Sequence, residues 1–392
     1  MGKGVGKRLL KFSFVVFIGL CFLSAGLARP AHAAEPIKIG ILTCLTGPIG
    51  FIGQPIKEAF TAIFDDLNQK GGINGRKVEL LIEDDQSNPS NAVISATKLI
   101  KDEKVPLILG SGTADSDAAI IPTVEQEQVP MLVAGPLVAP FKKYVFLMGP
   151  GDARGNAHIM EFVCTKLNAK KIAILRDTAT YGSEGSKYYH EEIKKYPGAS
   201  IIIEEKMEMA DTNVVPQLTK IKAAKPDVLI IHSTGVGPIA KNYKQLGMTV
   251  QVYGSHSMPT PEFLKLSGAI AEESHWIMTA SKMMIAEKLP ASDPFRKNIY
   301  DPFKKLLQAK YGPTKNINVF HAVAYDASMV TIEALKLAGS DNRAAVRDAL
   351  EKVRYDGFVG QFACTPTDHQ GAPKDTMPEM MVKGGEFVPY TK

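Results

Sequence analysis

From residue 36 onward, short apolar runs alternate with segments of helical period, and this rhythm constrains the fold more than any other feature. IKIGIL (37–42) reads as a strand. Residues 54–70 read as a helix with Ala59, Phe60, Ile63, Phe64 and Leu67 on one face. Gly71 and Gly72 stop that helix, and Asn74-Gly75 turns the chain into the strand KVELLIED. NPSNAVISATKLIKDE follows as a helix with Pro89 in its first turn. PLILG, a helix at 114–127 and PMLVAG continue the pattern. KIAILRD, a helix at 184–196, SIIIEEK, a helix at 212–224, DVLIIH, a helix at 236–247 and VQVYGS repeat it. Strands this short and apolar, each followed by a helix, belong in a parallel sheet covered on both faces. From about Ala280 the chain turns helical through three segments, and MMVKGGEFVPY closes it as a hairpin around Gly384-Gly385.

The rhythm occurs twice. KIGIL (38–42) matches KIAIL (171–175), and PLILGSGT (106–113) resembles PDVLIIHST (226–234), in the same order. Shared order predicts duplicated architecture, with a first lobe ending near MGPGDARGN (148–156).

The first 33 residues stand apart. Lys3, Lys7, Arg8 and Lys11 precede the uncharged FSFVVFIGLCFLSAGLA, and Ala31-His32-Ala33 follows. Basic, apolar and A-x-A segments in that order predict a cleaved signal peptide, residues 1–33, and so an exported protein. Leu20, rather than a small residue, precedes Cys21, which argues against a lipid anchor. Five of the 46 basic residues and none of the acids lie in this leader, so the mature chain balances at 41 basic against 41 acidic. That leaves no field for nucleic acid. No second long apolar stretch occurs, so the mature chain is not expected to span a membrane. Cys44, Cys164 and Cys364 remain; they allow at most one disulfide, or three buried thiols, and none has metal-ligand spacing.

The loop GSGTADSD (110–117) invites a nucleotide reading and fails it. A dinucleotide fingerprint needs a third glycine where Asp115 stands, and no Gly-Lys-Ser/Thr occurs. What remains is backbone N–H groups at a helix start, which suit a carboxylate or carbonyl oxygen. Ser111, Thr113 and Ser116 add hydroxyl donors. No G-x-S-x-G, H-E-x-x-H or Cys-His cluster appears, so neither enzyme activity nor a cofactor or metal is expected.

Two stretches now point to a family: IKIGILTCLTGPIGFIGQPIKEAF, and NQKGGINGRKVELLIEDDQSNPSNAVISATKLI with its N-x-x-GG-I-x-G-R turn and Pro-led helix. They resemble the periplasmic binding proteins of the leucine/isoleucine/valine type, the solute receptors of ABC importers. AILRDTATYGSEG resembles the strand and Tyr-Gly loop that open the family's second lobe, and YDGFVGQFACTPTDHQG its closing segment. The likeness runs along the whole mature chain. It implies the type I periplasmic binding fold: α/β, with two doubly wound parallel-sheet lobes joined by a three-strand hinge. Lobe 1 would take residues 36–152 and 280–355, and lobe 2 residues 153–279 and 356–392. It also implies a periplasmic monomer, a small-molecule ligand (amino acid or organic acid), hinge closure around it, and permease and ATPase subunits as partners.

The resemblance carries site residues over one at a time. The loop serine that grips an amino acid's carboxylate falls on Ala114 here. The next hydroxyl falls on Val138, beside Leu137 in AGPLVAP, and the acid that holds the ammonium falls near His256. All three anchors are replaced. Phe51 stands where the family often sets an aromatic over the ligand, and Tyr181 lies in the TYG loop. His232, Ser233 and Thr234 follow a strand and should face the cleft, with His232 the more structural of them. Asp115 reads as a cap or a contact. The candidate set is Phe51, Ser111, Thr113, Ala114, Asp115, Leu137, Val138, Tyr181, Thr234 and His256. An aromatic or short aliphatic carboxylate is the favoured ligand. The alternatives are an amino-acid binder with an atypical site, or a ligand-sensing domain for a signalling partner.

Overall fold

The computed structural model describes residues 35–391 apart from 111, 134–141, 149–150, 234–236, 281 and 370–377, so the leader lies outside it. The first lobe opens with β1 (Ile37–Thr43), α1 (Gly50–Gln69), β2 (Val78–Asp84) and α2 (Pro89–Lys101), then β3 (Ile108–Leu109), α3 (Ala114–Gln126), β4 (Met131–Val133) and β5 (Val145–Leu147). The second holds α4 (Gly151–Glu161), β6 (Lys171–Asp177), α5 (Thr180–Glu192), β7 (Ser200–Met207) and α6 (Val215–Ala224). It continues with β8 (Val228–His232), α7 (Gly237–Gln245), β9 (Gln251–Gly254), α8 (Pro261–Glu273) and β10 (Ile277–Thr279). Then come α9 (Asp301–Tyr311), α10 (Val319–Ala338), α11 (Arg343–Leu350), β11 (Tyr355–Asp356), β12 (Gln361–Phe362), β13 (Glu379–Lys383) and β14 (Glu386–Pro389).

One parallel sheet runs β2-β1-β3-β4-β5. The other runs β14-β13-β10-β9-β8-β6-β7, and its first five strands in the chain take the same order as those of the first sheet. Only β13 and β14 are antiparallel in it. Strand order therefore reverses between β1 and β3, and again between β6 and β8. In such sheets the crevice for a ligand opens at the carboxyl ends beside that reversal. The KIGIL and KIAIL runs of the sequence are β1 and β6, the equivalent strands.

Alternation fixes which side chains go where. Ile37, Ile39 and Ile41 of β1 pack with α1 and α10 on one face, and Leu42 packs on the other with Leu99, Ile120 and Val124. In β6, Ala173 and Leu175 enter one core, Ile172 and Ile174 the opposite one. Phe60 and Phe64 of α1 are fully buried, each contributing about 1.5–3 kcal/mol of transfer free energy. One core draws on residues 37–148 and 283–364, another on 173–280 and 380–387. The chain thus passes between the lobes three times: after β5, after β10 and between β12 and β13. Phe358, Phe362 and Cys364 pack in the first of these cores. The reason is Asp326 of α10, whose buried carboxylate accepts the Phe358 and Val359 N–H groups at 3.0 and 2.8 Å.

Two helices start earlier than their sequence pattern suggests. Helix α1 begins at Gly50 and runs through Pro55. Gly53 allows this, because a Cβ there would stand 2.1 Å from the Cys44 carbonyl oxygen. Helix α5 begins at Thr180 instead of 184, which puts Tyr181 in a helical first turn. The hairpin expected at Gly384-Gly385 is β13–β14. Cys44, Cys164 and Cys364 are all buried free thiols. Burial pushes Cys44 up to about 12 and Cys164 up to about 11. Among the described residues, no helix is long and apolar enough to cross a membrane, and no group of His, Cys, Asp and Glu forms a metal site.

Candidate functional site

The loop after β3 is pressed against its surroundings. Gly110 donates its N–H to the Leu132 carbonyl at 2.7 Å, and a Cβ on it would meet the Asp117 carboxylate at 2.6 Å. Gly112 has φ +82, a conformation that only glycine adopts at little cost, and a Cβ there would meet Ile56 Cδ1 at 2.6 Å. The loop therefore lies flat on the first two turns of α1. Thr113 is the N-cap of α3 by position, with extended backbone, yet its side chain makes no capping bond. Thr113 and Ala114 are buried behind the surface that the helix start presents. The backbone N–H groups of the helix start belong to this wall.

Asp115, exposed in the first turn of α3, reaches the other lobe. Its carboxylate accepts the Thr180 N–H at 3.3 Å. Thr180 is the first residue of α5, and the N-cap before it, Ala179, has no side chain that can cap. Asp177 at the end of β6 accepts the Gly182 N–H at 3.1 Å. Two acids, one from each lobe, thus supply the cap that the α5 sequence lacks, favourable partners for the positive end of a helix. The sequence pattern could not show this start because one cap is local and the other lies 65 residues away.

The second wall is made of rings. Tyr181 is buried and stacks on His232, with ring centroids 4.1 Å apart and planes 28° from parallel. His256, just after β9, meets Tyr181 edge to face at 5.7 Å. His232 Nδ1 bonds the Tyr189 hydroxyl at 2.8 Å. Burial, with His256 nearby, pushes His232 well below the usual histidine range, and the Tyr181 carbonyl beside it opposes this only in part. His256 is half-buried with its Nδ1 shielded from solvent, and that desolvation brings it down to about 4. Both imidazoles are neutral at pH 7.

A cation at this wall is already committed. Arg176, at the end of β6, donates from Nε to Glu204 at 2.6 Å and from Nη1 to the Asp177 carbonyl at 3.0 Å. Burial raises Glu204, but Arg176, His190 and Ser186 together bring it down to about 2. The pair is a support behind the wall.

Of the ten candidates, Thr113, Ala114 and Asp115 gather at the start of α3, and Tyr181 and His256 touch each other. Asp115 joins the two groups through the first turn of α5. Phe51 is 54% exposed in the first turn of α1, with its ring edge-on to Phe320 at 6.2 Å. Its neighbour Ile52 lies against the Gly112 loop. Ser111, Leu137, Val138 and Thr234 lie outside the described residues. His232, read as structural, packs face to face on a candidate contact. Tyr189 and Gly185 carried no role in the sequence reading; their signal was the spacing Tyr181, Gly185, Tyr189, one stripe of a helix.

Residues 36–386 match the family model of the periplasmic binding proteins. The chain belongs to that family. It is 25% identical over 349 residues to the leucine-, isoleucine-, valine-, threonine-, and alanine-binding protein of Pseudomonas aeruginosa, covering 86% of this chain and 88% of that one. It is also similar to the crystal structure of an extracellular ligand-binding receptor from Rhodopseudomonas palustris HaA2. There the TM-score is 0.82 at 27% identity, over 91% of this chain and 99% of the other. A solute binding protein of an ABC transporter from Rhodopseudomonas palustris BisB5, solved with 3,4-dihydroxy benzoic acid, shares the fold. Its TM-score is 0.74 at 21% identity, over 91% and 96% of the two chains. This is a type I periplasmic binding protein of the branched-chain amino-acid class. Such proteins bind small molecules for ABC transporters and are not enzymes.

Proposed function

We propose that this binding protein is the exported receptor of an ABC importer, and that its ligand is a small carboxylate without an α-ammonium group. The observation that carries the reading is His256. It stands against Tyr181, where amino-acid binders of the family carry an acid, and it is neutral, with a pKa near 4. Two acids of the same wall are committed, Asp177 to Gly182 N and Glu204 to Arg176. Among the described residues of that wall, an ammonium group would therefore meet acids that already hold other partners, and burying one unpaired costs several kcal/mol. A carboxylate, by contrast, suits the N–H groups at the start of α3, with an imidazole N–H opposite.

The ring wall of Tyr181, His232 and His256 favours an aromatic acid over a short aliphatic one. The Rhodopseudomonas palustris BisB5 relative was solved with an aromatic acid, and the Pseudomonas aeruginosa relative is named for aliphatic amino acids, so the fold accommodates both. The ten sequence candidates form the first list of contacts, with Asp115 serving closure more than recognition. On this reading lobe 1 takes residues 36–152 and 280 to about 365, since Phe358, Phe362 and Cys364 pack in its core, and lobe 2 takes the rest. Hinge closure, periplasmic location after removal of residues 1–33, a monomeric state and docking on a permease complete the reading.

A thermal-shift screen tests it, since a cleft ligand raises the melting point by mass action. Organic acids such as benzoate and 4-hydroxybenzoate should shift the melting point, while leucine and valine should not. The reverse pattern would sink the reading. His256→Glu should weaken acid binding by about tenfold or more, as a carboxylate replaces an N–H donor.

A further inference from the structure

Tyr181, Gly185 and Tyr189 lie four residues apart on α5, one above the other on a single face. All three meet the same partner, His232 at the end of β8. Tyr181 covers its ring face at 4.1 Å. Tyr189 bonds its Nδ1 at 2.8 Å and stands edge-on at 5.4 Å. Gly185 gives way to it: a Cβ there would stand 2.3 Å from Nε2 and within 2.8 Å of two ring carbons. The imidazole is fully buried.

The bonding fixes the ring. A neutral imidazole has one donor and one acceptor nitrogen. Among the described residues Nε2 is buried without a hydrogen-bond partner, so Nδ1 makes the ring's bond, to the Tyr189 hydroxyl. A ring with one face under Tyr181, Nδ1 bonded and Nε2 set against Gly185 cannot rotate without losing a contact. Tyr181, whose face rests on it, inherits that orientation.

We propose that His232 is a positioning residue of the cleft: clamped between Tyr189 and Gly185, it sets the plane of Tyr181 and thereby determines which ligands the second wall accepts. The proposal rests on the reading of Tyr181 as a wall of the ligand cleft. It explains why the strand-end histidine and the helix glycine occur together. The histidine needs the space that a side chain at 185 would fill, and the tyrosine needs the flat support.

Binding of benzoate and of isovalerate, an aromatic and a short aliphatic acid, to the intact mature protein tests it, by calorimetry, in a double-mutant cycle of Tyr181→Ala and His232→Ala. His232→Phe is a third variant that keeps the flat ring. If His232 acts through Tyr181, His232→Ala alters the benzoate-to-isovalerate affinity ratio by about tenfold in the wild-type background. In the Tyr181→Ala background it leaves that ratio unchanged. His232→Phe restores most of the ratio. Additive effects on the ratio would overturn the proposal and leave the cleft reading standing, as would an unchanged ratio in His232→Ala with Tyr181→Ala still weakening binding. If neither probe binds wild type at millimolar concentration, the carboxylate reading falls, and this proposal with it.

Discussion

The two walls of the cleft stand on the same topology and are built from opposite materials. Both sheets run second, first, third, fourth, fifth, and both put a loop at the point of reversal. After β3 that place holds Gly110 and Gly112, packed against Asp117 and Ile56, and the start of α3. After β8 the same place holds His232, locked under Tyr181 and beside Tyr189. On the proposed reading the first wall would meet charge through the backbone, which few substitutions can alter. The second would meet shape through side chains that substitution changes freely. The fold would then fix where the ligand sits, and the choice of ligand would belong to the ring wall.

Breaking the ring wall should cost most. Gly185→Ala forces a methyl into the His232 ring. The loss should be about 1–3 kcal/mol after the small helix-propensity gain, read as a fall in melting temperature together with weaker ligand binding. Gly112→Ala on the first wall meets only the tip of Ile56 but carries φ +82. It should cost about 1 kcal/mol through backbone strain and change selectivity little. Equal effects on selectivity would erase the contrast between the walls.

Tyr189→Phe sharpens the comparison from behind. It removes the hydrogen-bond partner of His232 Nδ1 and leaves a buried nitrogen unpaired, at a cost of about 1–2 kcal/mol in urea unfolding. The Tyr181 stack remains, so ligand selectivity should move less than in His232→Ala.

The walls also differ in their response to acid. His232 and His256 have folded pKa values below their ordinary 6.5, His256 near 4. The unfolded chain therefore binds more protons than the folded one in this range. Their contribution to stability is complete above pH 6.5 and is lost as pH falls toward 4. Asp85, under the first wall, is raised by burial and runs the other way, contributing most at acid pH. Melting curves from pH 8 to 4 should show the loss, and His256→Gln should flatten it.

The smallest effect is expected where the walls meet. Asp115→Ala removes one bond to the Thr180 N–H at an exposed position, worth about 0.5–1 kcal/mol. Global stability should barely change, while small-angle scattering of the ligand-bound protein should show a larger open fraction.

How far the sequence revealed this molecule follows the same divide. Alternating apolar strands gave both sheets, because a buried parallel strand leaves its signature within a few residues. KIGIL and KIAIL marked equivalent strands, and Asn88 and Pro89 marked a helix start whose cap is local, Asn88 Oδ1 accepting from Ser90 N at 2.8 Å. The start of α5 was set four residues late because half of its cap comes from Asp115 of the other lobe. The ring wall was legible only in part. Tyr181 and His256 enter through the resemblance, whereas His232 reads as structural from sequence, since its partners Tyr181, Gly185 and Tyr189 lie on one helix more than 40 residues earlier in the chain. At Ala114 and near His256 the sequence departs from the anchors that the resemblance implies for an amino-acid binder, and the proposed ligand rests on that departure.

The most direct test is to purify the exported protein gently, denature it and identify the released small molecule by mass spectrometry. The account predicts a carboxylic acid without an amine, aromatic in the favoured case. Release of leucine, isoleucine, valine or another α-amino acid would contradict it.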